Sequence, residues 1–343
     1  MTLSSRIAAI LATLSLLAAS PAARGQLYTA ADLEPDAARL KSVVHKIYSI
    51  GFKPVLTREE LARLGEFQFD FPLPRGNDDA LNFAATTDGR YLIMPLMSLK
   101  FLEDMTTAYA WLFQNGMSLS TIDLYFAMLR YREPARFPGG RPPKILDALG
   151  VPHDAYKTSK QVDEMSLALR NEAIAFVIAH ELGHILYRHK PVDQLTSRQA
   201  LADEMQSDRF ALDLMKRTST PPFGPLLFFQ GQLYMLLHRH EFPDEEAWQR
   251  YIQNRMTHPI SIDRMKAMAN FMRDEFPEVR PTERSTWQDI GNTFLTHTDT
   301  MADLGIARCI IRIAKEADLA ILKPRKTVEA EEIQARCRGV REE

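Results

Sequence analysis

The order of apolar and polar residues along the chain predicts a mainly helical protein. Apolar positions recur at helical spacing in several long segments, and Pro191 stops the longest of them. The stretch 224–240 is strongly apolar but is interrupted by glutamines, which indicates a buried helix rather than a membrane span. The segments predicted to be helical are 26–70, 98–131, 159–190, a helix that Ser197 caps and that continues to Arg217, 224–240, about 245–256, a helix that Pro259 begins and that ends before Pro277, and two or three helices in 281–343.

Two short strands are expected between the first two helical segments. Leu81 to Thr86 and Arg90 to Met97 flank an Asp-Gly pair, which is a strong signal for a hairpin. Pro95 cannot donate a ladder hydrogen bond, so the second strand is predicted at the edge of its sheet. An open edge can pair with the backbone of an extended peptide.

The first residues have the pattern of a secretory signal. Arg6 precedes an apolar run from Ile7 to Ala19, and small residues follow it. Such a run is short for a membrane span, which needs roughly 20 apolar residues. We expect cleavage between Ala22 and Gly25 and a mature protein that is periplasmic or secreted. The alternative is an uncleaved anchor in the inner membrane that faces the periplasm.

Composition and charge restrict the function classes. The chain has 343 residues, of which 45% are hydrophobic and 25% charged, as in ordinary globular proteins. The formal net charge of −2 gives no global field for nucleic acid. Cys309 and Cys337 are the two cysteines. In an oxidising compartment they could pair, but their spacing leaves the pairing open.

The candidate chemistry lies in the longest predicted helix, which contains AIAFVIAHELGHILYRHK. His180 and His184 are four residues apart and share one helix face, so both imidazoles can bind one metal ion. Imidazole suits zinc, and a neighbouring carboxylate such as Glu181 can take a proton from the zinc's water. Gly183 destabilises a helix interior, which predicts that another element packs closely there.

The next predicted helix offers a third ligand. Glu204 and Asp208 are also four residues apart. We assign Glu204 as the third metal ligand. We assign Asp208 as a carboxylate that does not bind the metal but accepts the N–H of a ligating histidine. The alternative is a solvated acidic face, because Asp203 and Asp213 lie nearby.

At this point the sequence resembles a known group of enzymes. HELGHILYRH, followed by a glutamate and four residues later an aspartate, is similar to the gluzincin zinc metallopeptidases. More narrowly it resembles peptidase family M-forty-eight, which includes the CAAX prenyl proteases and a bacterial heat-shock membrane protease. The segments LNFAATTDGRYLIMPLMSL and THPISIDR resemble that family's hairpin and its downstream His-Pro…Arg segment. His189 matches a histidine often found after the metal helix.

The resemblance implies an α+β fold of the zincin type, mainly helical, with a small edge-exposed sheet. Together with the signal pattern and the helical pattern of the C-terminal residues, it gives the expected organisation: a signal peptide over 1–25, a zinc metallopeptidase domain over 26–280, and a C-terminal helical extension over 281–343. Within the domain we expect a metal core over 171–264 and a hairpin over 81–97.

Three further residues have expected roles. By the resemblance, His258 stabilises the oxyanion, holds the metal's open position in a latent state, or is structural. Arg264 is expected to pair with an acidic residue near the site. His189 is expected to serve the helix end, where a cation meets the helix dipole favourably.

The expected function is that of a zinc endopeptidase that cleaves polypeptides in the cell envelope, where other envelope proteins are candidate partners. One alternative is a latent or catalytically silent zinc-binding module of the chaperone type. Another is a zinc hydrolase that acts on a small amide. A broad cleft beside the hairpin favours peptides, whereas a closed pocket favours the small amide.

Overall fold

The computed structural model of the protein describes residues 26–74, 80–86, 88–191, 194–235, 244–248, 250, 262–302, 304–326 and 337. Helices dominate these residues, as the sequence predicts. The α-helices are α1 (Ala30–Lys46), α2 (Arg58–Leu64), α3 (Leu96–Gln114), α4 (Ser120–Tyr131), α5 (Ile145–Ala148), α6 (Ala155–Thr158), α7 (Lys160–Tyr187), α8 (Ser197–Arg217), α9 (Phe223–Met235), α10 (Ile262–Asn270), α11 (Arg284–Ala302) and α12 (Leu304–Glu316). Helices α1 and α10 continue into π-helical turns, Ile47–Phe52 and Phe271–Glu275.

Three short strands form a small sheet within the described residues: β1 (Gln68–Asp70), β2 (Ala84–Ala85) and β3 (Tyr91–Ile93). The mainly helical α+β class is therefore as expected. The sheet order is β1-β3-β2, with β1 parallel and β2 antiparallel to β3.

The position of β3 corrects one expectation from the sequence. The strand after the Asp-Gly turn was predicted at a sheet edge because of Pro95, but β3 lies in the middle of the sheet. The strand ends at Ile93, before the proline, and Pro95 is instead the N-cap residue of α3. Strand β1 takes the other side of β3, in a segment that was expected to be helical. Three residues are too few to show a strand period.

Helix α7 lies at the centre of the fold. Its middle stretch 173–183 is buried on all sides, which is expected of a helix without a polar face. The Ser159 side chain caps its start by accepting a hydrogen bond from the Val162 N–H. Helices α3, α8 and α9 pack around α7, so every residue that α7 contributes to a site is held by packing from several directions.

Helix α8 packs closely against α7 at Gly183. A Cβ atom at Gly183 would lie only 3.0 Å from Cα of Ser207. The close packing that this glycine predicts is therefore confirmed. The cap of α8 differs by one residue from the prediction, because Thr196 rather than Ser197 caps it and forms a capping box with Gln199.

The start of α9 packs even more tightly against α7. A Cβ atom at Gly224 would lie 2.1 Å from the backbone nitrogen of Ala173. Glu172, buried on α7, accepts a hydrogen bond from the Gly224 N–H at 3.1 Å. A side chain from one helix therefore satisfies one of the backbone donors at the start of another.

The C-terminal segment is joined to the rest of the fold by hydrogen bonds. The Arg132 guanidinium donates to the carbonyl of Ala317 at 2.6 Å, and the Ser118 N–H donates to the carbonyl of Arg325 at 2.8 Å. Cys309 and Cys337 form a disulfide, the pairing that their spacing left open.

None of the described helices is both long enough and apolar enough to cross a membrane. The predicted signal segment lies outside the described residues.

Burial of Glu172 predicts a pH dependence of stability. Burial raises the pKa of this carboxyl to about 8, and the hydrogen bond from Gly224 offsets only part of the increase. In the unfolded chain the carboxyl ionises near pH 4.5. Between these values the unfolded state releases a proton that the folded state keeps, so the free energy of unfolding falls as pH rises.

We therefore expect Glu172→Gln, which does not ionise, to remove this fall. Relative to the variant, the parent should lose on the order of 1 kcal/mol per pH unit between pH 5 and 8. Urea unfolding of both proteins at several pH values measures the difference. Parallel stability curves for parent and variant would contradict the assignment.

Candidate metal site and cleft

Helices α7 and α8 bring together His180, His184 and Glu204. The Nε2 atoms of the two histidines are 3.0 Å apart. Glu204 Oε2 lies 3.4 Å from Nε2 of His180, and Glu204 Oε1 lies 3.4 Å from Nε2 of His184. One ligand atom from each side chain lies within 4.8 Å of the other two, and the group has the composition of a metal site.

The spacing of these atoms fits a zinc ion. Zinc binds histidine nitrogen and carboxylate oxygen at about 2.0–2.2 Å, so two ligands of a tetrahedral site are separated by about 3.3 Å. The two histidine nitrogens, 3.0 Å apart, lie close to that edge length, and the Glu204 carboxylate places one oxygen 3.4 Å from each of them. Three protein ligands leave a fourth position for water or substrate, as in catalytic zinc sites.

Asp208 contacts His180 on the side of the ring opposite the candidate metal-binding nitrogen. Its Oδ1 atom lies 2.9 Å from Nδ1 of His180, one helical turn beyond Glu204 on α8. An imidazole that donates its Nδ1–H to a carboxylate presents the lone pair of Nε2 on the opposite side of the ring. Asp208 is buried, so this contact is shielded from water.

Arg264 on α10 holds both carboxylates of α8. Its Nε and Nη2 atoms donate to Asp208 at 2.6 and 2.8 Å, and Nη1 lies 2.8 Å from Glu204 Oε2. The guanidinium is buried and lies over the ring of Phe229, 5.1 Å from its centroid. The expectation that Arg264 pairs with an acidic residue near the site is confirmed.

The charges within the site set the direction of its pKa shifts. Burial raises the pKa of Asp208, but the charge of Arg264 and the hydrogen bond from His180 outweigh burial and lower it below its ordinary value. Burial lowers the pKa of His180, but contacts with Asp208 and Glu204 outweigh it and raise the pKa to about 10. Because metals bind neutral imidazole, metal uptake by this site would release a proton.

Glu181 points toward the same space from α7. Its carboxyl is buried and lines, together with His184 and Glu204, a cleft of about 720 Å³. Strand β2 forms another wall of this cleft. The turn between β2 and β3 is close to α7, since a Cβ atom at Gly89 would lie 3.2 Å from Cγ2 of Ile185.

His189 lies beside His184 rather than acting only at the helix end. Arg188 adopts a left-handed conformation with φ of 56°, which ends α7 and turns the chain back. This turn places Nδ1 of His189 3.0 Å from Nδ1 of His184. The sequence predicts only the helix-end role of His189 and not this contact, because a left-handed arginine gives no signal in the sequence. His258 lies outside the described residues.

We predict that lysine cannot replace arginine at position 264 without loss of stability. We expect Arg264→Lys to lower the free energy of unfolding by on the order of 3 kcal/mol, because an ammonium cannot hold two buried carboxylates with a planar fork. Arg273, on the same chain segment, offers a control because it makes a similar two-point contact with Asp274 at the surface. Arg273→Lys should change stability by about 0.5 kcal/mol or less. Urea unfolding of chelator-treated proteins measures both, and equal losses would contradict the argument.

Part of the chain matches a known protein family. Residues 144–279 match the model of a protein family described as Peptidase U49. The matched stretch contains α7, α8 and α10 and therefore every side chain of the metal site described above. No curated protein and no solved structure matches the chain. The family match indicates a peptidase, that is, a hydrolase that acts on the peptide bonds of a polypeptide substrate.

Proposed function

We propose that the protein is a zinc-dependent endopeptidase that cleaves polypeptides in the cell envelope. The observation that carries the proposal is the convergence of the His180, His184 and Glu204 side chains beside a buried Glu181. The match to a peptidase family supports the same reaction independently of this geometry.

The donor set favours zinc among the common metals. Two imidazole nitrogens and one carboxylate oxygen suit zinc, whereas calcium and magnesium prefer oxygen ligands alone. A zinc ion held by these residues supplies a Lewis acid for the scissile carbonyl and lowers the pKa of a water molecule.

Glu181 would act as the general base. Its carboxylate accepts a proton from the attacking water and then passes that proton to the leaving amine. The residue precedes Leu182 and Gly183 on a buried helix, so its backbone is fixed by packing. Asp208 and Arg264 keep His180 and Glu204 oriented toward the common position.

Strand β2 is the element suited to bind the substrate backbone. It is an outer strand of the sheet and borders the cleft. The Thr86 N–H bonds to β3 through the carbonyl of Tyr91, so alternation along the strand directs the N–H and C=O of Ala85 away from β3. An extended peptide can pair with such an edge through its main chain, which gives low sequence specificity.

The strand edge beside the cleft favours a polypeptide over a small amide. The cleft of about 720 Å³ is bordered by β2, whose outer edge can pair with the backbone of an extended chain. The proposed location in the periplasm, or outside the cell, rests on the signal pattern in residues 1–25. The disulfide between Cys309 and Cys337 agrees with an oxidising compartment.

The test compares Glu181→Gln with the parent protein and with Glu164→Gln, which changes an exposed glutamate on the same helix. We expect all three proteins to contain about one zinc ion per chain, because the ligands are unchanged. Casein cleavage by Glu181→Gln should fall by about 10²–10⁴-fold, the usual contribution of a general base. Glu164→Gln should cleave as the parent does.

Three results would contradict the proposal. A parent without zinc would remove the metal site from the account. Full cleavage by Glu181→Gln would exclude this residue as the base. Zinc binding without cleavage by the parent, also after His258→Ala, would favour the silent zinc-binding module instead.

A further inference from the structure

His189 is the centre of a chain of contacts that begins at a proposed metal ligand. Its Nδ1 atom lies 3.0 Å from Nδ1 of His184, and its Nε2 atom lies 3.0 Å from Oε1 of Gln206. Asp203 approaches the same Nε2 at 3.8 Å. The His189 side chain is only 7% exposed, so the contacts of this ring are made with protein atoms.

The protons in this chain can be assigned from chemistry. A histidine that binds metal through Nε2 carries its proton on Nδ1. Nδ1–H of His184 therefore points at Nδ1 of His189, which must accept. A neutral His189 then carries its proton on Nε2, where Gln206 and Asp203 both offer oxygen acceptors. One assignment of protons satisfies these three contacts, and the Ser207 hydroxyl, 3.4 Å from Nδ1 of His189, is a second donor to the same accepting nitrogen.

The imidazole of His189 is not needed to end the helix. The turn after α7 is closed by backbone bonds, from the Arg188 N–H to the carbonyl of Ile185 and from the His189 N–H to the carbonyl of His184. The second bond is donated by the backbone N–H, so any residue except proline could make it at position 189. The ring itself contacts His184 and α8, so its chemistry serves that contact.

We propose that His189 is a positioning residue that fixes the proton and the ring orientation of His184. This inference rests on the proposed zinc site. His184 would then be supported by a neutral imidazole, whereas His180 is supported by the carboxylate of Asp208. The two histidine ligands differ in electron donation, because a carboxylate acceptor makes its histidine more basic than an imidazole acceptor does.

The first test measures zinc affinity by chelator competition, a readout independent of cleavage. His189→Phe retains a ring of similar size but has no acceptor, and we expect it to bind zinc about 10–100-fold more weakly than the parent. His189→Asn places an amide oxygen near the position of Nδ1, and its affinity should stay within about threefold of the parent. This rescue separates an acceptor role from a packing role.

The outcomes separate this inference from the proposed function. A parent that binds no zinc removes the metal site, and the role of His189 falls with it. A parent that binds zinc while His189→Phe binds equally well leaves the metal site intact and overturns the role of His189. Equal weakening in His189→Phe and His189→Asn also overturns it, because then the acceptor makes no difference.

A second measurement needs no variant and therefore does not depend on the folding of a mutant. Imidazole nitrogen spectra of the zinc-loaded parent, labelled with ¹⁵N in histidine, distinguish the two neutral tautomers. We expect His184 to carry its proton on Nδ1 and His189 to carry its proton on Nε2. A His189 ring with its proton on Nδ1 would overturn the proposal, since that proton would face the proton of His184.

Discussion

The site depends on the distance between α7 and α8 at Gly183. Backbone and side-chain atoms of Ser207 lie 3.0 to 3.2 Å from the position at which a larger residue at 183 would place its first carbon atom. Each helix carries its functional side chains at positions four apart, on either side of this close contact. A wider separation of the helices would move Glu204 away from both histidines. The glycine therefore costs helix stability and allows the three ligand atoms to converge.

The second constraint is electrostatic. Glu181, Glu204 and Asp208 are buried within one small region, and buried carboxylates are costly unless cations compensate them. Arg264 is a buried cation that contacts two of the three. With both imidazoles neutral, as metal binding requires, three carboxylates and one guanidinium sum to a formal charge of −2. This charge is equal and opposite to that of a zinc ion, so the metal and the protein around it would be neutral together.

Much of the site could be predicted from the sequence because its spacing is local. Two histidines four residues apart share a helix face in any helix, and a glycine among buried residues indicates a close neighbour. The pairing of Arg264 with a carboxylate could be anticipated only in general terms. Its partner Asp208 lies 56 residues earlier in the chain, and helical spacing does not extend across separate helices.

The remaining features depend on contacts that no local pattern encodes. Strand β1 exists because it pairs in parallel with β3, more than twenty residues away. The open edge beside the cleft therefore belongs to β2 rather than to β3, the strand predicted at the edge because of Pro95. The position of His189 depends on a left-handed turn at Arg188, a conformation that arginine rarely adopts. Long-range strand pairing thus explains the corrected position of β3, and an unusual backbone conformation explains the unpredicted contact of His189.

The central claim is that one metal ion binds between α7 and α8 through two histidines and one glutamate. Anomalous diffraction at the zinc absorption edge, from crystals of the zinc-loaded protein, tests it most directly. We expect one strong peak in the anomalous difference map, about 2 Å from Nε2 of His180, Nε2 of His184 and a carboxylate oxygen of Glu204. A peak bound by other side chains, or the absence of a peak at these three residues, would contradict it.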